Sequence, residues 1–506
     1  KFCFLSYFFN AVLYTNKMDE VQQSMIERES VAPSVPDLLR VSPMDTSTAT
    51  DVETSIQDPV VVSNTFCRFV LLNKGILHSH SKVTLGVLAP GNGTDSYFFP
   101  PTTGVASLIQ RAALKVGTKT LQEIDGYNYM TAYKNMFISN EHQREREQVQ
   151  SGKCIAHEFR YSDAGDTTGT DNNTRAFTYG LSNGREYDTI GAATPDLKSH
   201  SWQDLKNAPL FQIALSDLFP MLKQTQLPLY MMEEQVSIEL TFTAVDNDRA
   251  CVTSGGASDE YIIDTTNVQF VADYIYYPQE MMDAYRAANP TITINHFDYR
   301  HSKVSVNATS GSGQTLIRNL GGAGRIVTKV ITGLQSDASD DESITNQYHS
   351  IAPERHYSFG QVPGPTNYNG SLTVNIKYND RFLYPIDVVN PARQFHNTAQ
   401  AEGMVPFVTR EEFAAEGVAL TNDEFNGYVQ NSGDAADEKG VLGRFNWLSY
   451  RLNRNERVNS RGIEYYYRYQ GLNAAGGGGG EYTQRSWLEL AKVTTLTDGF
   501  VRTDLL

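Results

Sequence analysis

Residues Gly180-Leu181-Ser182-Asn183-Gly184 match GxSxG, the pattern that holds a nucleophilic serine on a sharp strand-to-helix turn. That turn needs a strand before Ser182 and a helix after it. Residues 185–194 (REYDTIGAAT) form helix poorly, so a polar loop is expected there. Of the 10 histidines, none stands in HExxH or near a cysteine at ligand spacing. His142 and the pair His157-Glu158 lack partners and are expected to be structural or at the surface. Asp246-Asn247-Asp248 and the acidic run 337–342 (DASDDE) could hold a hard cation weakly. Neither has the Gly-anchored order of a calcium loop, so solvated acids are expected. Gly321-Gly322-Ala323-Gly324 lacks the GxGxxG order and reads as a turn, and no P-loop lysine motif occurs. Cys3, Cys67, Cys154 and Cys251 are scattered without CxxC spacing, which indicates neither a disulfide framework nor zinc. Sequons at Asn92, Asn172, Asn307 and Asn369 matter only in a secreted chain. These patterns mark no catalytic, cofactor-binding or metal-binding residue, and no cofactor is expected.

The elements around these candidates read as scaffold. Of 506 residues, 40% are hydrophobic and 20% charged, too apolar for a disordered chain and too polar for a membrane protein. Tyr (28) and Phe (24) dominate the aromatics, and 38 Gly with 19 Pro interrupt the apolar runs often, which points to β-structure. The net charge of −16 excludes a broad basic face for nucleic acid or anionic lipid. Cysteine usage fits folding in a reducing compartment. The apolar run 2–14 is shorter than the ~20 residues that span a bilayer. It also lacks a cleavage site and carries a single basic residue, so residues 1–17 are expected to lie upstream of a start at Met18. Residues 18–59 read as an acidic tail, rich in Ser and Thr and broken by Pro33, Pro36, Pro43 and Pro59.

From Val60 the pattern becomes β. Residues 60–62, 66–72 and 82–88 are expected strands, and 106–116 reads as a strand between Gly104 and Gly117. Residues 127–138 carry apolar side chains at helical spacing. The block 209–243 is the most informative. Phe211, Ile213 and Leu215 alternate as one strand face, and Ser216 and Asp217 offer a cap for a short helix over 217–222 containing Phe219 and Pro220. Leu227 and Pro228 belong to an extended link that cannot sit inside a ladder. Val236, Ile238, Leu240 and Phe242 alternate as a second strand. Residues 268–277 are a further strand, and 278–288 read as a helix with Pro278 at its first turn, stopped by Asn289-Pro290. That stop divides a first domain, 60–289, from a second, 290–506. In the second, strands are expected over 291–299, 301–306, 371–378, 463–469 and 487–494. Helices are expected over 390–402 and 409–416, a flexible Gly-rich loop over 476–480 and a turn at Asp498-Gly499. His301–Val306 (HSKVSV) echoes His80–Leu85 (HSKVTL), and 315–318 echoes 107–111 loosely, as a tandem duplication would.

Thr103–Tyr133 (TGVASLIQRAALKVGTKTLQEIDGYNYMTAY), Phe211–Phe242 (FQIALSDLFPMLKQTQLPLYMMEEQVSIELTF) and Leu488–Val501 (LELAKVTTLTDGFV) carry a resemblance. Over these stretches, and in order and length from Val60 to its end, the chain resembles the double jelly-roll major capsid proteins of polinton-like viruses, virophages and their relatives. The resemblance implies an all-β fold with short helices, made of two tandem eight-stranded jelly-roll sandwiches. The strands flanking the short helix would be 211–215 and 235–242 in the first roll, with helix 390–402 as its counterpart in the second. It further implies a homotrimer that approximates a hexagon and tiles an icosahedral shell around double-stranded DNA. The partners would be further copies of the chain, penton proteins and minor or cement capsid proteins, with no sequence-specific nucleic-acid binding and no membrane span. The location would be the virion capsid, assembled inside the host cell in cytoplasm or nucleus. Three copies at −16 each would carry −48, so contacts between capsomers must offset repulsion, by salt, divalent ions or cement proteins. Two rivals remain at this level: a secreted β-sandwich carbohydrate-binding protein or adhesin, and a β-sandwich glycoside hydrolase working through two carboxylates.

Overall fold

A computed structural model describes residues 51–87, 103–135, 210–223, 225–243, 262–308, 314–336, 372–385, 447–452, 456–469 and 480–506, with short pieces between them. These residues are mostly β-sheet with few helices. In the first half the main strands are β1 (Asp51–Gln57), β2 (Phe66–Val70), β3 (Lys82–Leu85), β4 (Ile109–Val116), β5 (Lys119–Asp125), β6 (Phe211–Ala214), β7 (Val236–Phe242) and β8 (Gln269–Tyr276). They form two antiparallel sheets, in the orders β1-β8-β3-β6 and β2-β7-β4-β5. Successive strands thus alternate between sheets before the β4–β5 hairpin and after it. This is the winding of an eight-stranded jelly roll, which packs two sheets face to face.

The second half repeats the winding. Its strands are β9 (Thr291–Ala308), β10 (Gln314–Gly321), β11 (Val327–Ser336), β12 (Leu372–Tyr378), β13 (Arg381–Phe382), β14 (Trp447–Arg451), β15 (Ile463–Tyr469) and β16 (Gly480–Thr497). The sheet orders are β9-β16-β11-β14 and β10-β15-β12-β13. Adding eight to each strand number of the first roll gives the order in the second. A further strand, β17 (Phe500–Leu505), returns along β16. The return is made by Asp498 (φ 49°) and Gly499 (φ 86°), the left-handed pair that a two-residue hairpin requires.

The alternation in β7 is realised: Val236, Ile238, Leu240 and Phe242 are all buried, while Glu239 and Thr241 on the other face are half-buried. A first core runs through both sheets of the first roll, with Phe69 and Phe270 at 5.8 Å between ring centroids. A second gathers Val374, Ile376, Tyr450, Tyr465, Leu488 and Leu490 between the sheets of the second roll.

Several expectations are corrected. Residues 51–57, expected in the acidic tail, are strand β1, in register with β8 from Asp51↔Tyr276 to Gln57↔Phe270. Pairing with one neighbour satisfies the backbone of an edge strand, so its side chains need not be apolar. The strand expected over 106–116 begins at Ile109, because Gly104 (φ 55°) turns the chain into a 3₁₀ turn, Gly104–Leu108. The helix expected over 217–222 is α2 (Leu215–Leu218), followed by a separate 3₁₀ turn, Pro220–Lys223. No side chain caps α2, since Leu215 N and Ser216 N donate instead to Ser81 O and Ser79 O. Pro220 then prevents its continuation. Of the helix expected over 127–138, α1 (Tyr127–Asn135) is described, and in α3 (Gln279–Ala288) Pro278 is the cap rather than the first helical residue. The two strands expected within 291–306 are one, β9, paired along its whole length with β16, which starts at Gly480 in the supposed loop. The echo of HSKV is not a structural equivalence: residues 80–85 lead into β3 and 301–306 lie in β9, whereas β3 corresponds to β11. Alternating polar and apolar residues suit any half-buried strand, so such echoes arise without homologous position.

Candidate functional site: the seam between the two rolls

The residues of the 211–242 signature lie together in the first roll. Phe211, Ile213, Leu215, Phe219, Leu227 and Pro228 are buried, and Pro220 is half-buried where it opens the 3₁₀ turn. With the four apolar residues of β7 they fill a core and present no reactive group. The candidates for chemistry at 180–184, His142, His157, 246–248 and 337–342 lie outside the described residues, as do Cys3, Cys154, Cys251 and the helix expected over 409–416. Cys67 is buried in β2, and burial pushes its thiol up to about 12, which keeps it protonated and inert. Among the described residues no cluster of His, Cys, Asp or Glu is placed to hold a metal ion, and no helix is long and apolar enough to cross a membrane.

What the structure brings together is a polar seam that no motif marks. β5 and α1 of the first roll lie along β9, β16 and β17 of the second. Gln122 Nε2 donates to Phe297 O at 2.6 Å, and Glu123 N to Asp298 Oδ1 at 3.1 Å. Lys492 Nζ joins Asp298 Oδ2 (2.9 Å) to Thr120 O (2.8 Å). Trp487, fully buried, donates from Nε1 to Asp125 O at 2.9 Å, and its ring stacks on His301 at 4.6 Å. His301 Nδ1 lies 2.9 Å from Asp125 Oδ2, and the contact from His301 holds the Asp125 carboxyl below its ordinary range. Gly126 opens this corner: its φ is 65°, and a Cβ there would stand 3.0 Å from Trp487 Cζ2.

Next to this corner is a charged cluster. Lys329 Nζ on β11 contacts Glu402 Oε1 at 3.1 Å, Glu402 Oε2 at 3.2 Å and Glu489 Oε2 at 3.5 Å. Glu489 also accepts from Thr328 Oγ1 (2.8 Å) and Tyr299 OH (3.1 Å), and Glu402 accepts from Tyr133 OH and Ser449 Oγ. Burial opposes the charge on Lys329, but the two carboxylates outweigh it and raise its pKa. Lys134 at the end of α1 lies 4.6 Å over the Tyr299 ring. Burial, then the neighbouring Lys329 and Lys223, push its ammonium down to about 7. Burial raises the hydroxyls of Tyr133 and Tyr299 well above the phenol range, with Glu402 and Glu489 adding to it.

This arrangement joins the two rolls. Every oxygen of Glu402 and Glu489 receives at least one donor. Asp125 orients His301 as a triad aspartate would, yet among the described residues no hydroxyl or thiol is hydrogen-bonded to His301 Nε2. The signal that sequence reading passed over lies in β16. Residues 484–490 (QRSWLEL) are all buried, polar and apolar alike, because one face of the strand lines the second core and the other lines the seam. Asn397, Thr398, Gln400 and Ala401, within the helix expected over 390–402, are helical and carry Glu402 into the seam. The rest of that segment lies outside the described residues.

No protein-family model matches the chain, and no curated protein matches it. Among solved structures, it is similar to a chain in a cryo-EM structure of the Sputnik virophage, at 11% identity and a TM-score of 0.49, covering 94% of this chain and 93% of that one. It is similar to the mavirus major capsid protein at 12% identity and a TM-score of 0.46, covering 94% and 93%. It is similar to the Faustovirus major capsid protein at 11% identity and a TM-score of 0.45, covering 96% and 98%.

Proposed function

We propose that this chain is a major capsid protein that homotrimerises into pseudo-hexagonal capsomers, and that these tile an icosahedral shell around a double-stranded DNA genome. The observation that carries the reading is the repeat of one jelly-roll winding within a single chain, locked across a buried polar seam. Two like sandwiches fixed side by side make each chain a pseudo-dimer. Three such chains about a threefold axis then place six sandwiches around it, which is the shape of a hexagonal tile. The seam keeps the angle between the sandwiches from varying, as a tile requires. The proposed role is mechanical, and the seam's polar clusters serve it by joining the two rolls. A net charge of −16 also suits an enclosing wall, which has no need to grip DNA phosphates. Penton and cement proteins are the expected partners and the virion capsid the expected location.

Light scattering on the size-exclusion peak of the purified chain tests this. With 56.4 kDa per chain, a trimer near 169 kDa (three times 56.4) is the expected result. A single-chain species at all concentrations would overturn it, and negative-stain images of particles would show the tiles directly.

A further inference from the structure

Seven of the twelve exposed large apolar side chains among the described residues lie at two unlike places. The first is a corner of the first roll. There β1 forms the edge of one sheet, and Val61–Val62, paired with β2, forms the edge of the other. The link between these edges is residues 58–60, so they border the same side of the sandwich. Val52, Ile56 (64% exposed), Val60, Val61 and Leu72 are all exposed here. The surrounding charge is acidic: Asp51, Glu53 and Asp58 are exposed, and among the described residues only Glu53 of the three has a cation, Lys74 at 2.7 Å.

The second place is a strip across the outer face of the sheet β10-β15-β12-β13 in the second roll. Ile317 (53% exposed) stands opposite Tyr466 in register, and the Tyr466 ring meets Phe382 (51% exposed) at 5.1 Å. The rim here is basic. Lys377 and Arg461 are matched by Glu464 and Asp380, and the positive excess is the exposed Arg381, which forms no ion pair among the described residues.

We propose that copies of this chain join through these two patches, the acid-rimmed corner of one copy seating on the base-rimmed strip of the next. The inference rests on the capsomer reading and names the surfaces that reading needs. Charge selects the pairing. Copies at −16 repel in general, and a corner-to-corner contact would set Asp51 and Asp58 against their own equivalents. Corner against strip brings unpaired acids to an unpaired base and buries apolar surface on both sides. Two unlike patches on different rolls make a heterologous contact, the kind that closes by rotation into a ring. Among the described residues β1 pairs on one side only, and such an edge invites pairing, since β1 carries no Pro or Lys to prevent it.

The test uses the full chain and two variants at exposed positions, Ile56→Ser/Val60→Ser and Ile317→Ser/Phe382→Ser, with circular dichroism melts to confirm folding. At a concentration where the parent is assembled, each variant is expected to scatter as a single chain. An equimolar mixture of the two is expected to give a two-chain species near 113 kDa (twice 56.4), since one intact corner still meets one intact strip. Zero-length carbodiimide coupling of the assembled parent should join the 51–58 peptide of one chain to Lys377 of another, which needs no variant to fold. Variants that assemble like an assembled parent, a mixture that yields no two-chain species, or no such cross-link would overturn the pairing and leave the capsomer reading intact. A parent that stays a single chain would remove the capsomer reading itself.

Discussion

Replacing Lys329 with methionine isolates what the seam cluster contributes. The substitution preserves most of the side-chain volume and removes the one cation that, among the described residues, contacts both Glu402 and Glu489, at 3.1 Å and 3.5 Å. All three side chains are only 11–13% exposed, so water does little to replace the lost charge. Breaking a buried ion pair by deleting one partner costs about 3–5 kcal/mol, because the remaining charge stays buried. Urea unfolding read by tryptophan fluorescence and far-ultraviolet dichroism would show it as a midpoint lowered by about 1 M, given a slope of about 3 kcal/mol/M or more for a chain of this size. The triple variant Lys329→Met/Glu402→Gln/Glu489→Gln removes the charge of all three side chains. It should recover most of the loss, since Tyr133, Thr328 and Ser449 can still donate to the amide oxygens. A single variant that loses less than about 1 kcal/mol, or a triple no more stable than the single, would show that the cluster is not a buried, mutually neutralised unit.

Two further outcomes are expected. His296 is 6% exposed, and burial lowers its pKa from 6.5 to about 4, so the folded state holds the neutral ring while the unfolded chain takes up a proton. Its contribution is therefore complete above pH 6.5 and is lost as pH falls toward 4, by about 3 kcal/mol at 1.36 kcal/mol per unit; a denaturation series of His296→Asn should show a flatter profile in that window, and an unchanged slope would refute the assignment. Gly126→Ala places a Cβ 3.0 Å from Trp487 Cζ2 at a φ of 65° and should cost about 1–3 kcal/mol in thermal unfolding, whereas a neutral result would mean the corner is looser than its geometry.

Much of the first roll is legible in its residues, because local pattern and tertiary role coincide there. Val236, Ile238, Leu240 and Phe242 alternate and are buried on one face, whereas Leu227 in the link before them pairs with Leu77 in an antiparallel bridge, contrary to expectation. Where a neighbour supplies what the local sequence lacks, reading fails. β1 looks like tail because its partner, β8, is more than 200 residues away, and α2 needs no capping side chain because Ser79 and Ser81 supply the carbonyls.

The chain's own pattern established a β-rich, acidic scaffold, since the periodicity of a half-buried strand and the balance of charge are properties of short segments and of sums; that one winding occurs twice emerged only from the strand order. It could not establish the seam. Glu489, Lys329, Tyr299 and Glu402 come from four separate segments, and each alone looks like an ordinary polar residue on or beside a strand. Their meaning arises only when the second roll's outer sheet face is covered by β5 and α1. Burial and the partner that compensates it are properties of position in space, not of any stretch of sequence.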